Sequence, residues 1–167
     1  MKGVIFNVVQ EVVEDAFGID FWDDAVDLAG IEGSYTSLGS YEDGDMIALV
    51  GAIAELARVS RNDVLVLAGR HGFSRLASRH TELLEGVAGW RDVLDQLDGI
   101  IHPEVRKIYP DADDVVLLEY ESKRNLCGLA EGLVKGLGDW FESELSVTHL
   151  SCVHRGDDKC HMEVAEA

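Results

Sequence analysis

Three cysteines and two histidines near the C-terminal end of the sequence could bind a metal ion. Cys152 and His154 are two residues apart, and a short polar turn returns the chain to Cys160 and His161. Cys127 precedes them on a predicted helix. Three thiolates and one imidazole are a common ligand set for structural zinc. The sequence therefore predicts a tetrahedral zinc site, with three buried free thiols as the alternative interpretation.

A second group of polar side chains could bind an anion. Tyr120, Ser122 and Arg124 occupy alternate positions in a predicted strand, where alternate side chains share a face. A phenol, a hydroxyl and a guanidinium all donate hydrogen bonds, and the guanidinium can bind a carboxylate or phosphate through two of them. The pattern predicts a carboxylate or phosphate site. The alternative is the solvated polar face of an edge strand.

His102 is a third candidate for metal chemistry. It follows two isoleucines and precedes Pro103, a residue that suits the first turn of a helix. A neutral imidazole presented beside buried surface is a good ligand for a transition metal or for heme iron. A capping or surface histidine is the other interpretation.

The elements that must position these residues follow from apolar spacing. Helical spacing predicts helices over about 4–17, 21–28, 45–59, from Ser60 onward, from Thr81 to about 97, and 126–141. Residues 115–122, 145–154 and 159–164 have strand character. We predict an α+β fold in which a helical N-terminal part packs on an α/β C-terminal part with a small antiparallel sheet.

Length and charge exclude several classes of function. The chain has 167 residues, enough for one sizeable core, with 32 acidic and 14 basic residues and a net charge of −18. That charge repels nucleic-acid phosphates and anionic membrane surfaces. Neither a membrane-spanning run nor a signal peptide is evident. We expect a cytoplasmic protein without a nucleic-acid or membrane partner.

Three segments together resemble the H-NOX family, the heme-based nitric oxide and oxygen-binding domains related to the heme domain of soluble guanylate cyclase. They are the opening residues 1–9, the His-Pro segment 101–112, and the Tyr-x-Ser-x-Arg pattern at 120–124. The likeness covers nearly the whole chain. It implies an H-NOX-like fold with heme b between a helical subdomain, about 1–62, and a proximal α+β subdomain, about 63–167.

The resemblance also implies roles for individual residues. His102 matches the proximal ligand of the heme iron. Tyr120, Ser122 and Arg124 match the clamp on the heme propionates, which agrees with the anion site predicted from their chemistry. Ile5 matches the distal residue that presses on the porphyrin.

Leu129 bears on the choice of gas. In the oxygen-binding branch of the family, a distal tyrosine lies five residues after the clamp arginine, and Leu129 occupies that position here. Bound oxygen carries partial negative charge and needs a distal donor, whereas nitric oxide does not. We expect ferrous heme that binds nitric oxide and carbon monoxide without a stable oxygen complex.

Two features depart from the family pattern. A bacterial branch has a four-cysteine zinc site, and Cys127, Cys152 and Cys160 match three of its positions while Arg155 occupies the fourth. The neighbouring His154 is the implied substitute, with His161 as the alternative. In addition, only 18 positions separate His102 from Tyr120, so one strand or hairpin of the family fold is expected to be missing.

These expectations combine into a function. The resemblance implies a nitric oxide sensor, not an enzyme, that releases His102 and regulates a separate signalling enzyme, either a histidine kinase or a cyclic-di-GMP enzyme (a diguanylate cyclase or phosphodiesterase). A zinc and thiol redox sensor on the same fold is the alternative. A heme peroxidase is a third interpretation, disfavoured because no distal acid–base pair is evident.

Overall fold

Apolar residues spaced three and four apart place about half of this chain in helices. The structure, a computed structural model, describes residues 1–96, 105–108 and 115–167. Its helices are α1 (Gly3–Phe17), α2 (Ile19–Ala29), α3 (Asp43–Ala57), α4 (Arg61–Arg79), α5 (Trp90–Asp95) and α6 (Cys127–Trp140). Its strands are β1 (Val105–Lys107), β2 (Val115–Tyr120), β3 (Leu145–Ser151) and β4 (Cys160–Glu166), and 3-10 turns span Thr81–Leu84 and Val153–Arg155.

The first three helices bury a shared apolar cluster. Phe6, Val9 and Val13 lie on one face of α1 and meet Leu49 of α3 in the interior. The ring of Tyr35, from the segment between α2 and α3, stacks on Phe6 with a centroid distance of 4.1 Å. The i, i+3 and i+7 spacing in α1 produces this face directly.

The start of α4 is fixed by its own sequence. The Ser60 hydroxyl accepts from the backbone N–H of Asp63, and the Asp63 carboxylate accepts from the backbone N–H of Ser60, both at 3.1 Å. This reciprocal pair satisfies two N–H groups that the helix leaves without partners. The predicted helix start at Ser60 is confirmed.

Helices α4 and α6 run in the same direction with their backbones in close contact. A Cβ atom on Gly128 would meet Leu65, one on Gly132 would lie 2.3 Å from the Val66 carbonyl oxygen, and one on Gly136 would lie 2.3 Å from the Arg70 carbonyl oxygen. Only glycine allows such an approach. We call this line of contact the α4–α6 seam.

The strands of the described residues form an antiparallel sheet in the order β1-β2-β4-β3. Tyr120 pairs with Cys160, and Glu119 pairs with His161. Alternation then gives the sheet a buried inner face, which includes Leu118 and Met162, and an outer face that includes Glu119. The inner face packs with α5 and α6 in a second apolar cluster.

The segment between α4 and β2 differs from the helical prediction. The helix expected from Thr81 to about 97 is instead a 3-10 turn and the short helix α5, because Gly86, with a φ of +74°, and Gly89 interrupt it. Residues 105–107, expected near a helix start, form β1 and pair with β2.

The predicted α+β class with a small antiparallel sheet is confirmed, although strand ends differ. β2 ends at Tyr120 and β3 at Ser151, each earlier than predicted. Among the residues that the structure describes, none of the helices combines the length and apolar character needed to span a membrane.

Candidate functional site

The structure contains an apolar cavity of about 470 Å³, a size typical of small-molecule and cofactor sites. Its walls come from α1, α4, α5, β1 and α6. The apolar lining includes Val4, Ile5, Phe73, Leu76, Leu84, Val93, Leu94, Val105, Leu126, Leu129, Leu133 and Leu137. An elongated apolar group fits such a lining, and its polar substituents would have to reach one of the few polar positions on the rim.

Tyr120 and Arg124 supply one polar end of this cavity. Tyr120 is the last residue of β2 and is buried, and its hydroxyl accepts from the backbone N–H of Leu126 at 3.0 Å. Arg124 lies in the turn between β2 and α6, and its Nε donates to Asp43 at 2.8 Å. This pair offers a phenol and a guanidinium to an anionic group that enters from the cavity.

Ser122 lies on a second, polar cavity of about 600 Å³ that shares Arg124 with the first. Because β2 ends at Tyr120, the three predicted clamp residues are related by a turn and not by strand alternation. The Ser122 hydroxyl accepts from the backbone N–H of Arg124 at 3.2 Å and so helps to shape that turn.

Asp43 joins this polar end to the N-terminal helices. Its carboxylate accepts from the N-terminal ammonium of Met1 at 2.9 Å as well as from Arg124. Both cations lower the pKa of Asp43, and the ammonium has the larger effect. Asp43 therefore stays ionised and holds the Arg124 side chain.

Ile5 and Leu129 both line the apolar cavity. Leu129 provides no hydrogen-bond donor there. His102 lies outside the described residues.

His80 is a cavity residue that was not predicted from the sequence. With Phe73, Leu76 and Ala77 it completes a stripe at helical spacing along α4 that faces the cavity. Its Nδ1 lies 3.1 Å from Glu82. The apolar stripe that ends in this histidine is visible in the sequence and is the signal that could have identified it.

Three cysteines and one histidine form a compact group beside the clamp. Ligand atoms of Cys127, His149, Cys152 and Cys160 all lie within 4.8 Å of one another, and the three cysteines are buried. Cys127 opens α6, His149 is on β3, Cys152 follows β3 and Cys160 begins β4. Two strands and a helix start thus bring together four residues that are scattered over 34 positions of sequence.

The geometry of this group fits a tetrahedral ion. The Cys152 sulfur lies 3.7 Å from the sulfurs of Cys127 and Cys160. Ligands on a tetrahedral zinc with Zn–S bonds of ~2.3 Å would be ~3.8 Å apart. The buried Nδ1 of His149 has no hydrogen-bond partner among the described residues. The donor set is therefore Cys3His with one imidazole nitrogen left for an ion.

The second ring nitrogen of His149 is held by a carboxylate. Its Nε2 lies 3.2 Å from Glu131, which also accepts from Lys135. The Glu131 carboxylate raises the pKa of His149 against the effect of burial. A carboxylate behind the imidazole is the usual arrangement around a metal-binding histidine, because it fixes the ring and its tautomer.

The two histidines predicted as the fourth ligand lie elsewhere. The Nε2 of His154 donates to the Asn125 carbonyl at 2.9 Å, on the surface. His161 is on the outer face of the sheet, with Ser151 and Glu119 as partners. The prediction required the strand to continue past Cys152, but β3 ends at Ser151, and His149 takes the position in the group.

The three thiols differ in acidity. Burial raises the pKa of Cys127 and of Cys160. Burial also opposes ionisation of Cys152, but hydrogen bonds from the His154 backbone and from neighbouring side chains outweigh it and lower the pKa. A cation that enters the group would favour the ionised form of all three thiols.

Comparison with known proteins identifies relatives of this arrangement. A search of curated sequences finds no significant match. Among solved structures, an H-NOX protein from S. oneidensis in the Fe(II)NO ligation state is 26% identical, with a TM-score of 0.91 over 100% of this chain and 99% of that one. The Shewanella oneidensis H-NOX domain in the Fe(II)CO state is 26% identical, with a TM-score of 0.87 over 100% and 99%.

An unliganded Fe(II) H-NOX protein from K. algicida is 23% identical and shares the fold, with a TM-score of 0.86 over 100% of this chain and 97% of that one. The family model described as haem-NO-binding matches residues 2–149, most of the chain. This chain belongs to the haem-NO-binding, or H-NOX, family.

Proposed function

We propose that this protein is a heme-based sensor of nitric oxide. The observation that carries the proposal is the apolar cavity with Tyr120 and Arg124 at its polar end. Heme b has an apolar porphyrin ring and two propionate carboxylates at one edge, so its ring matches the walls and its carboxylates match the phenol and guanidinium. Heme b, when bound, would supply the ferrous iron that binds a gas.

Residues of the cavity would orient the heme and surround the bound gas. Arg124 and Tyr120 would orient the propionates, with Ser122 shaping the turn between them. Ile5 would press on the porphyrin from α1. Leu129 would exclude a donor from the bound gas, which favours nitric oxide and carbon monoxide over stable oxygen binding.

In this proposal His102 is the proximal ligand. Its release when nitric oxide binds would free the segment that carries it, and a separate signalling enzyme would detect the change. The proposed partner is a histidine kinase or a cyclic-di-GMP enzyme. The S. oneidensis H-NOX structures, in their Fe(II)NO and Fe(II)CO ligation states, support the cofactor and the gases.

An absorption spectrum of the purified, reduced protein tests this function. We expect a Soret band that shifts with nitric oxide and with carbon monoxide and that shows no stable oxygen complex in air. His102→Gly should change the spectrum of the ferrous protein, and added imidazole should restore it. An unchanged spectrum in His102→Gly would remove the proximal role, and the absence of a Soret band after hemin addition would remove the function.

We also propose a structural zinc ion at Cys127, His149, Cys152 and Cys160, supported by their spacing and by the His149–Glu131 pair. This group favours one alternative function, a thiol redox sensor in which oxidation releases zinc. Elemental analysis should find one zinc per chain, and His149→Ala should lower that content while His161→Ala should not. Peroxide that leaves the zinc content of heme-free protein unchanged would contradict the redox function.

A further inference from the structure

The clamp and the Cys3His group are joined by a single turn of chain. Cys127 follows Arg124 by three residues, and the turn between them is built from its own hydrogen bonds. Besides the Ser122 contact, the buried Tyr120 hydroxyl accepts from the backbone N–H of Leu126. Asn125 in the middle of this turn has a φ of +54°, a left-handed conformation that is uncommon outside glycine and that asparagine adopts more readily than most residues.

The other two cysteines flank a tight turn of their own. The backbone N–H of Cys152 donates to the Asp157 carboxylate at 2.7 Å, and the N–H of Arg155 donates to the Cys152 carbonyl at 2.8 Å. The N–H of Val153 donates to the Cys160 sulfur at 3.4 Å. The position of this 152–160 turn therefore depends on the backbone of Cys152 and on the sulfur of Cys160, two residues that would hold a metal.

His154 connects the two turns. It projects from the 152–160 turn, and its Nε2 donates to the carbonyl of Asn125 at 2.9 Å. The pairing of Tyr120 with Cys160 in the sheet is a second connection. An exposed hydrogen bond contributes little to stability by itself. Its effect here is geometric, because it fixes the left-handed residue between the clamp and Cys127.

We propose that His154 is a positioning residue that couples the Cys3His metal site to the anion clamp, so that binding at either site tightens the other. The inference rests on the proposed heme and zinc functions and adds a regulatory link between them. A metal would fix Cys127 relative to Cys152 and Cys160. His154 would then fix the Asn125 carbonyl, and with it the turn that presents Arg124. Linkage requires the effect to be reciprocal.

The test compares heme dissociation into excess apomyoglobin from zinc-loaded protein and from chelator-treated protein, both with a thiol reductant. In the parent protein, removal of zinc should weaken heme binding by about fivefold or more, the usual lower range for coupled sites. Because affinity changes between related complexes lie mostly in the dissociation rate, heme loss should become faster by about the same factor. In His154→Ala the ratio should fall toward one, while the zinc content stays at one per chain. His154→Gln, whose amide can donate to the same carbonyl, should retain the parent ratio.

Three outcomes distinguish the coupling between the sites, the positioning role of His154 and the proposed heme function. A parent protein that binds heme and zinc but shows a ratio of one overturns the coupling and leaves the proposed function intact. Loss of zinc from His154→Ala makes His154 a ligand and overturns its positioning role. A parent protein that binds no heme overturns both the coupling and the proposed function.

Discussion

Leu129 lines the α6 side of the cavity, where the proposed heme would bind a gas molecule. Its side chain lines the cavity one turn beyond the clamp and offers only methyl groups. Leu129→Tyr would introduce a phenol at this position, and we expect reduced protein to form an oxygen complex in air that persists at least about tenfold longer than in the parent, because a distal donor stabilises bound oxygen. Visible absorption after exposure of the ferrous protein to air measures this lifetime.

Leu129→Phe is the matched control, because it adds the ring without the hydroxyl. It should leave the oxygen complex as unstable as in the parent. Equal stabilisation by both variants would show that ring bulk, and not a hydrogen bond, controls oxygen binding.

Glu119 contributes to stability through its charge. It is buried on the outer face of the sheet and accepts from Arg106, Lys159 and His161. The hydrogen bond from Arg106 lowers the Glu119 pKa most, and the hydrogen bonds from Lys159 and His161 lower it further. Desolvation acts in the opposite direction, and together these effects lower the pKa from 4.5 to about 2. Because the folded state has the lower pKa, this stabilisation is complete above the unfolded pKa and is lost as the pH falls from 4.5 toward 2.

Glu119→Gln should therefore lower the free energy of unfolding by roughly 2 kcal/mol at pH 7, less than the full shift because its partners are partly exposed. Urea titrations at pH 7 and at acid pH measure the difference, which should shrink below about pH 4. Glu121→Gln, at an exposed carboxylate that shares Lys159, should cost less than about 0.5 kcal/mol. Equal losses for both variants would contradict the assignment.

At the residue scale, the sequence identifies the residues that carry chemistry more reliably than it identifies which of them lie together in the fold. The cysteines and the clamp residues Tyr120 and Arg124 are recognisable from type and spacing, and the structure brings the cysteines together. His149 is not among the predicted fourth ligands, which are His154 and His161, because the prediction continues β3 past Cys152 whereas the strand ends at Ser151. Strand ends are set by contacts within the following turn, such as the Asp157 contact with the Cys152 N–H, that apolar spacing does not reveal.

At the element scale, the α4–α6 seam depends on the absence of side chains. Gly132→Ala would place a methyl group 2.3 Å from the Val66 carbonyl oxygen, and both helices would have to move apart. We expect a loss of about 3 kcal/mol in the free energy of unfolding. Thermal or chemical denaturation monitored by circular dichroism measures it.

Gly44→Ala is the matched control, since Gly44 lies in α3 and a methyl group on it would have no neighbouring atom within 4 Å. It should be stabilising by up to about 1 kcal/mol, because alanine favours helix. If Gly132→Ala is equally harmless, the helices are not in backbone contact.

Helices with a continuous apolar stripe are predictable from the sequence, even where glycines occur as in α6, but the sequence does not show which glycine ends a helix by adopting a positive φ. The α1 and α6 stripes and the Ser60 cap are local signals that agree with the structure. The 81–97 segment has a helical pattern as well, but Gly86 and Gly89 divide it. β1 has only three residues, and its existence depends on pairing with β2, which no local pattern reveals.

At the scale of the whole molecule, the net charge of −18 opposes compactness. Salt screens this repulsion, since the Debye length falls from ~30 Å at 0.01 M to ~3 Å at 1 M. We expect the melting temperature to rise by roughly 3–6 °C between about 10 mM and 0.5 M sodium chloride, measured by differential scanning fluorimetry.

Potassium chloride at the same ionic strength should produce the same rise, because screening depends on ionic strength alone. A fall in melting temperature would mean that exposed ion pairs such as Arg70–Asp139 outweigh the general repulsion.

Helices whose backbones touch have no layer of side chains between them to compress, so α4 and α6 form the stiff wall of the cavity. α1 and α5 reach the cavity through side chains such as Ile5 and Val93, whose rotamers and contacts can adjust. We therefore expect a change in the cavity's contents to displace α1 and α5 more than α4 and α6. The cavity would then widen in one direction, away from the seam, and a partner that detects its contents would contact the side formed by α1 and α5.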